Sequence, residues 1–418
     1  MTKRKQTDKE SKQRLAVLEE GEKQHKEVRG RINLVRTMMQ KFCIEQDHLI
    51  DAMILAACGH QHCLSFGLPG CNKSGAIDLF THLIGADIRN QMRSELVKDP
   101  QAYSEEEIHK ATYTFKVTLD AYTAPEALLG PISIAAYKAD KGYLRVLTDT
   151  IAEAEFANIE ETFNGNGATL QALVRCLNER EIDNGGLRIK IPLRSAFGAT
   201  NNEPRPNMAA VYDRFLVRVD VPYLDPSNGQ AFERLMSQPR LNLRVINRVA
   251  SVSDIDHVME ESQKVEISTT MIRDLKDFRA GLVSELHINL SPRRWANIGH
   301  LLRVSAWLND RAEVKGPDVW NVCRFTCWDR RADIPELMKV LDVYRVEDAA
   351  DKEVSEYNMA VSIYNDAIVQ DPTTDEGARK LMRASGTINQ IAGKLVNERH
   401  VAELQRMTDV LDCKINEA

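Results

Sequence analysis

The stretch that most restricts this chain is CLSFGLPGCNKSGAIDLF, Cys63 to Phe80. The segment HCLSFG reads as a short buried strand and SGAIDLFTHLIGA as a helix. Between them run Gly67, Leu68, Pro69, Gly70, Cys71, Asn72, Lys73, Ser74 and Gly75. Strand, glycine-containing loop, helix is the setting of the G-x-x-x-x-G-K-[ST] pattern. There, backbone N–H groups and a helix N-terminus cradle phosphates, the lysine reaches the β- and γ-phosphates, and the hydroxyl binds Mg2+. Gly67, Lys73 and Ser74 stand in register, and Asn72 takes the place of the second glycine. Glycine is preferred there because the backbone passes close to phosphate or adopts positive φ, and asparagine is among the residues best tolerated at positive φ. An altered but usable nucleotide site is therefore expected. The plainer alternative, a tight turn before a helix, is weakened by the strand and helix that flank it.

The rest of the first half alternates strands with helices. Apolar residues recur at helical spacing from Arg29 to Ala57, with Gly59 as a stop. Thr112–Leu119 alternates and is rich in β-branched residues, EFANI (155–159) is a weaker strand, and TLQALVRCLNER is an amphipathic helix. REIDNGGLRIKIP carries Asn184-Gly185 between two alternating arms, a hairpin signal. SAFGATN (195–201) and FLVRVDVPY (215–223) complete an α/β core with a mainly parallel sheet. The segment 86–111 reads as an added helical hairpin. The expected divisions are a charged arm over 1–28, the α/β core over 29–224, an all-helical lid over 225–345, and a C-terminal helical segment over 346–418.

Phosphoryl transfer also needs an acid for Mg2+ and a group to activate water. AEFANIEETF ends a strand on two acids, so Glu160 is the candidate metal ligand and Glu161 faces the water. Asn158 inside this strand is unusual, and Glu160 is one methylene longer than the aspartate normal at a metal position. A surface acidic pair is the competing reading. Asp149, in RVLTDT, has no second acid beside it.

Composition limits the other function classes. With 418 residues, two or three domains are expected, and a formal net charge of −6 argues against a dedicated nucleic-acid or anionic-membrane binder. No run of eighteen apolar residues offers a membrane span. The charged N-terminus lacks the apolar core of a secretion signal. Eight cysteines without a framework spacing point to free thiols and a cytoplasmic protein. CGHQHC groups Cys58, His60, His62 and Cys63, but it runs straight into the strand before the loop, which disfavours zinc. Cys323 and Cys327 read as buried small hydrophobes. Arg240, Arg244 and Arg248 form a stripe at helical spacing that reads as a solvated face. All four tryptophans (295, 307, 320, 328) fall within the expected lid.

In order and spacing, GLPGCNKS, YTAPEALLGPISIAAYK, AEFANIEE, ATLQALVRCLNEREIDNGGLRIKIPLR, ATNNEP, VYDRFLVR and SPRRWANIGHLLRVSAWLNDRAEV are colinear with one family. From about Arg31 to Cys327 the chain resembles MoxR-type AAA+ ATPases, most closely the RavA (regulatory ATPase variant) branch. The resemblance implies an ATP- and Mg2+-using hydrolase, cycling to ADP, that acts as a chaperone-like remodeller of a protein partner in a hexameric ring. It implies that Lys73 and Ser74 lie in the Walker A loop and that Glu160 and Glu161 form the Walker B pair. Asn201 matches sensor 1, with Asn202 as the alternative one residue on. Arg214 matches an arginine finger acting on a neighbouring subunit, and Arg293, with Arg294 beside it, matches sensor 2. APEALLGPISI and the Asn184-Gly185 hairpin match the helix-2 insert and the pre-sensor-1 hairpin, which project toward the pore. A von Willebrand factor A (vWA) domain protein is the family's usual partner. Lysine decarboxylase is not carried over, because no β-rich segment is seen in 346–418. The altered Asn72, Asn158 and Glu160 leave a second reading, a nucleotide-binding scaffold of the same fold with weak or no hydrolysis.

Overall fold

The computed structural model describes residues 2–345, 357, 360–361, 363–364, 367–368, 370, 372–393, 395 and 398–416. Side chains are described from Glu20 onward, except those of Asn207, Asp375, Glu398, Arg399 and Asn416. Two compact units emerge. The first comprises Met1–Val265 and Arg293–Arg311, the second Glu266–Pro292 and Ala312–Ala418.

The first unit opens with α1 (Thr2–Phe42), a single helix that runs through the expected boundary between arm and core. Among its described side chains, Val28, Ile32, Val35 and Met39, on one helical face, are buried, and α2 (Asp47–Cys58) is apolar almost throughout. Gly59 does not end α2 through a left-handed turn, since its φ is −93°. A Cβ there would lie 2.3 Å from Leu301 Cδ2, so this glycine answers a close approach.

The five-stranded sheet is parallel, in the order β2-β3-β6-β1-β7. The strands are β1 (Cys63–Phe66), β2 (Thr114–Thr118), β3 (Phe156–Glu160), β6 (Ser195–Thr200) and β7 (Val217–Asp220). Strands covered on both faces read as continuous apolar runs, and β1 and β6 are buried along their whole length. Helix α3 (Lys73–Leu83) packs on the sheet through Phe80, whose ring meets Phe197 edge-on with centroids 5.4 Å apart. The 86–111 segment holds α4 (Ile88–Leu96) and α5 (Glu105–Lys110). A Ser104–Glu107 capping box starts α5, and Arg93 donates to both oxygens of Glu105. Short α6 (Glu126–Leu129) and α7 (Ile134–Lys138) precede β3, and α8 (Gly167–Glu179) follows it. The antiparallel hairpin β4 (Glu181–Asn184) and β5 (Leu187–Lys190) turns at Gly185 and Gly186, both at positive φ. Then come α9 (Ala209–Tyr212), α10 (Gly229–Ser237) and α11 (Val252–Ser262).

The second unit holds α12 (Thr269–Ser284), α14 (Gly316–Thr326) and α15 (Ile334–Leu341), while α13 (Pro292–Leu308) lies almost wholly in the first. The segment 225–345 is therefore shared between the units, with Trp295 and Trp307 in the first and Trp320 and Trp328 in the second. In the second unit α16 (Asp375–Ala392) and α17 (Glu398–Asn416) pair around Leu381, Ile388, Leu404 and Leu411. Of the C-terminal segment, 346–356 lie outside the described residues. Arg240, Arg244 and Arg248 do not share a helix face. Only Leu243–Val245 forms a 3-10 turn there, and Arg248 instead reaches Asp87 and Gln91.

Candidate nucleotide site

The loop leaves β1 at Gly67, where a Cβ would meet the Val221 carbonyl oxygen at 2.5 Å, so only glycine fits. Gly70 takes φ 87° and Asn72 φ 56°, the left-handed region where asparagine's short polar side chain is tolerated. Asn72 is the N-cap residue of α3, and its side-chain oxygen lies over Gly75, 2.2 Å from where a Cβ would stand.

Lys73 is buried at the start of α3. Its Nζ donates to Gly67 O at 2.6 Å, Leu68 O at 3.0 Å and Asn201 Oδ1 at 3.0 Å. An ammonium has three protons, so all are engaged within the loop and its neighbour strand. Burial pulls the ammonium below its ordinary pKa, and Cys71 and Glu161 offset this. Asn201 follows β6 and turns its Nδ2 to Glu161 Oε1 at 2.9 Å. Asn164 Nδ2 holds the other Glu161 oxygen at 3.0 Å. Glu161 itself sits at φ 51°, turned out of line just past the end of β3. Lysine, amide and carboxylate thus form one chain at the C-terminal ends of β1, β6 and β3, the edge where open α/β sheets bind ligands. Asn202 stays outside this chain, and its N–H is bonded to Thr200 Oγ1.

Glu160 ends β3 and accepts from Thr118 Oγ1 at 3.3 Å. Among the described residues no three histidine, cysteine or acidic side chains gather as a metal nest. The hydroxyl of Ser74 and the carboxylate of Glu160 do suit Mg2+, which binds through one or two carboxylates and fills its shell with phosphate oxygens and water. A buried acceptor in the same strand, Asn158 Oδ1, has no hydrogen-bond partner.

The two candidate arginines stand apart from this chain. Arg214 follows α9 and pairs with Asp213 at 2.7 Å. Arg293 donates to Asn178 Oδ1. Asn178 neighbours Leu177, whose carbonyl holds His62 just ahead of β1, so Arg293 lies at the sheet end away from the loop. Arg294 is buried. His62 shows why CGHQHC is not a metal motif. Its ring is spanned between Leu177 O at 2.9 Å and the Ala196 N–H at 3.0 Å, Cys58 is buried in α2 and Cys63 in β1.

Several contacts of the loop carry no sequence signal. Gln46, between α1 and α2, donates to Cys71 O at 2.6 Å, and the Tyr223 hydroxyl donates to Pro69 O at 3.0 Å. Asn164 is equally unmarked. Asp78 has a faint signal, lying one helical turn after Ser74.

Residues 102–253 match the family model described as the MoxR domain in the MoxR-vWA-beta-propeller ternary systems, and residues 270–341 match an AAA lid domain. The first match begins after the loop, so the loop rests on its own geometry. Among curated proteins, the uncharacterized proteins MJ0079 and MJ0812 of Methanocaldococcus jannaschii are each 27% identical. MJ0079 aligns over 75% of this chain and 74% of its own, MJ0812 over 71% and 70%. Structural protein ORF618 of Acidianus two-tailed virus is 26% identical over 40% of this chain and 27% of its own. The crystal structure of a candidate ATPase from Cytophaga hutchinsonii shares the fold with a TM-score of 0.57 at 18% identity, covering 81% of this chain and 97% of that one. No helix among the described residues is long and apolar enough to cross a membrane. Residues 102–253 are thus similar to a MoxR domain and residues 270–341 to an AAA lid, and the parallel sheet and loop agree with the fold of a MoxR-type AAA+ ATPase.

Proposed function

We propose that the chain binds ATP with Mg2+ at the start of α3 and hydrolyses it, as a cytoplasmic ring that remodels a protein partner. The observation that carries this reading is the hydrogen-bonded series Lys73–Asn201–Glu161 at the mouth of the loop. Mg2+ held there by Ser74 and Glu160 would supply neutralisation of the charge that develops on transfer. Everything else falls to the chain's own groups. Backbone N–H groups of the loop and Lys73 Nζ hold the phosphates. Ser74 and Glu160 hold the ion. Glu161 takes the proton of the attacking water, and Asn201 orients that water beside the γ-phosphate.

Lys73 Nζ is saturated by the Gly67, Leu68 and Asn201 oxygens, so a phosphate taken up by this lysine has to replace them. That exchange frees Asn201 Oδ1 for water and couples binding to the catalytic carboxylate. Arg214 serves a neighbouring subunit's nucleotide, as the finger position implies. Arg293 does not reach the loop of its own chain, so a sensor role at phosphate is likewise one it exerts on another copy, or after movement of α13.

A protein partner is supported by one exposed tip. Ile134, Tyr137, Tyr143 and Leu187 are exposed together. Their segments are joined by the Arg145 N–H on Asn184 Oδ1 at 2.6 Å and by Leu144 against Gly185. Contiguous exposed apolar groups mark interaction sites. The matched model's description favours a partner carrying a vWA domain, and the order of segments supports a reading nearest RavA within the class.

The scaffold reading is favoured by one feature, both oxygens of Glu161 being occupied by amides. Steady-state phosphate release separates the two readings. The enzyme reading expects release by wild type and its loss in Lys73→Ala and Glu161→Gln. Equal release from all three proteins would leave only the scaffold.

A further inference from the structure

Strand β3 carries a polar side chain where an interior strand covered by a helix normally carries an apolar one. Asn158 is 2% exposed. Its Nδ2 donates to Asp78 Oδ1 at 3.4 Å, and because a carboxylate only accepts, this contact fixes which way the amide points. Its Oδ1 is buried and has no partner. Buried acceptors in native proteins are nearly always satisfied, and one that is not calls for a water or an ion. Asp78 is held in turn by Lys116 Nζ at 2.7 Å, and Lys116 is the register partner of Asn158 on β2.

The layer above is the candidate magnesium site. Asp78 follows Ser74 by one turn of α3, a step of about 6 Å. Asn158 precedes Glu160 by two residues on the same strand face, a step of about 6.6 Å. Helix α3 starts from the sheet edge where β3 ends, so the Asp78–Asn158 contact places Ser74 and Glu160 at one level, a layer nearer the loop.

We infer that Asn158, backed by Asp78 and Lys116, is the second layer of the magnesium site, its Oδ1 accepting a hydrogen bond from a water on the ion. This rests on the nucleotide reading above. Mg2+ dehydrates reluctantly and keeps several waters. Groups that fix such waters are positioning residues, worth about 10–100-fold in metal affinity. Lys116 neutralises Asp78, so that carboxylate backs the amide and does not compete for the ion. The two departures of β3, Asn158 and Glu160, are then one device. A longer carboxylate at the strand end works with a water-holding amide beneath it.

The test uses the full chain with a non-hydrolysable ATP analogue, measuring nucleotide affinity calorimetrically in chelator and Mn2+ affinity of the nucleotide complex by electron paramagnetic resonance. Asn158→Leu is expected to weaken Mn2+ about tenfold or more, with nucleotide affinity in chelator unchanged. Asp78→Asn, at a partly exposed side chain, is expected to shift Mn2+ affinity in the same direction and serves if Asn158→Leu does not fold. Unchanged Mn2+ affinity in the folded variants overturns the inference and leaves the nucleotide reading intact. A wild type without nucleotide affinity in either buffer overturns both.

Discussion

Asn201 donates to Glu161 at 2.9 Å while its own oxygen accepts from Lys73 at 3.0 Å, so one amide joins the lysine proposed to bind phosphate to the acid proposed to activate water. Asn201→Asp replaces the donated N–H by a second carboxylate facing Glu161. The expected outcome is a fall in kcat of about 100-fold, the scale of a lost acid–base or orienting group, with ATP affinity within about threefold of wild type. Parallel calorimetry and phosphate release check the split. A loss confined to affinity would move Asn201 from catalysis to binding.

The loop's shape gives a stability prediction. Gly67→Ala drives a Cβ to 2.5 Å from the Val221 carbonyl, which is backbone and cannot swing aside. Overpacking of this kind costs about 1–3 kcal/mol, read as an earlier midpoint in chemical denaturation. An unchanged midpoint would mean that β7 is not seated against the loop.

What could be foreseen, and what could not, divides along physical lines. Strand, loop and helix around Lys73 were legible because each is set by local chemistry. So was the Asn184-Gly185 hairpin, whose turn needs positive φ at Gly185 and Gly186. The apolar spacing of α13 showed that one face is buried, in keeping with its place in the lid, but not which unit buries that face. The charged arm seemed separable at residue 28, yet α1 continues unbroken, since polar residues can propagate a helix that is anchored further on by Val28, Ile32 and Val35. Asn164 and Gln46 reach the site by tertiary placement alone.

Arg214 pairs with Asp213 and takes no part in the hydrogen bonds described for Lys73, Asn201 and Glu161, so its proposed target is on a neighbour. Arg214→Ala is expected to lower kcat by about 1,000-fold or more, the scale of an arginine finger, with ATP binding retained. Mixing it with Lys73→Ala should restore part of the activity, because some interfaces would pair an intact loop with an intact arginine. Mixed samples as inactive as either parent would refute action in trans.

His62 gives a pH dependence. Burial pushes its imidazole down to about 4, against an opposing hydrogen bond to the Leu177 carbonyl and a further lowering by Arg180. The unfolded value is near 6.5. The unfolded chain therefore binds the extra proton first, and the contribution is fully present above about pH 6.5 and lost as pH falls toward 4. The whole shift corresponds to about 3 kcal/mol. Denaturation midpoints of wild type and His62→Gln between pH 7.5 and 5 should converge as pH falls. Parallel curves would show that the ring is not held neutral.

The account rests most directly on a triphosphate at the N-terminus of α3. Calorimetric titration of ATP with Mg2+ into wild type and Lys73→Ala tests this in one measurement. The prediction is one ATP per chain for wild type and at least tenfold weaker binding for the variant. No heat from wild type, or equal affinity in the two proteins, would contradict it.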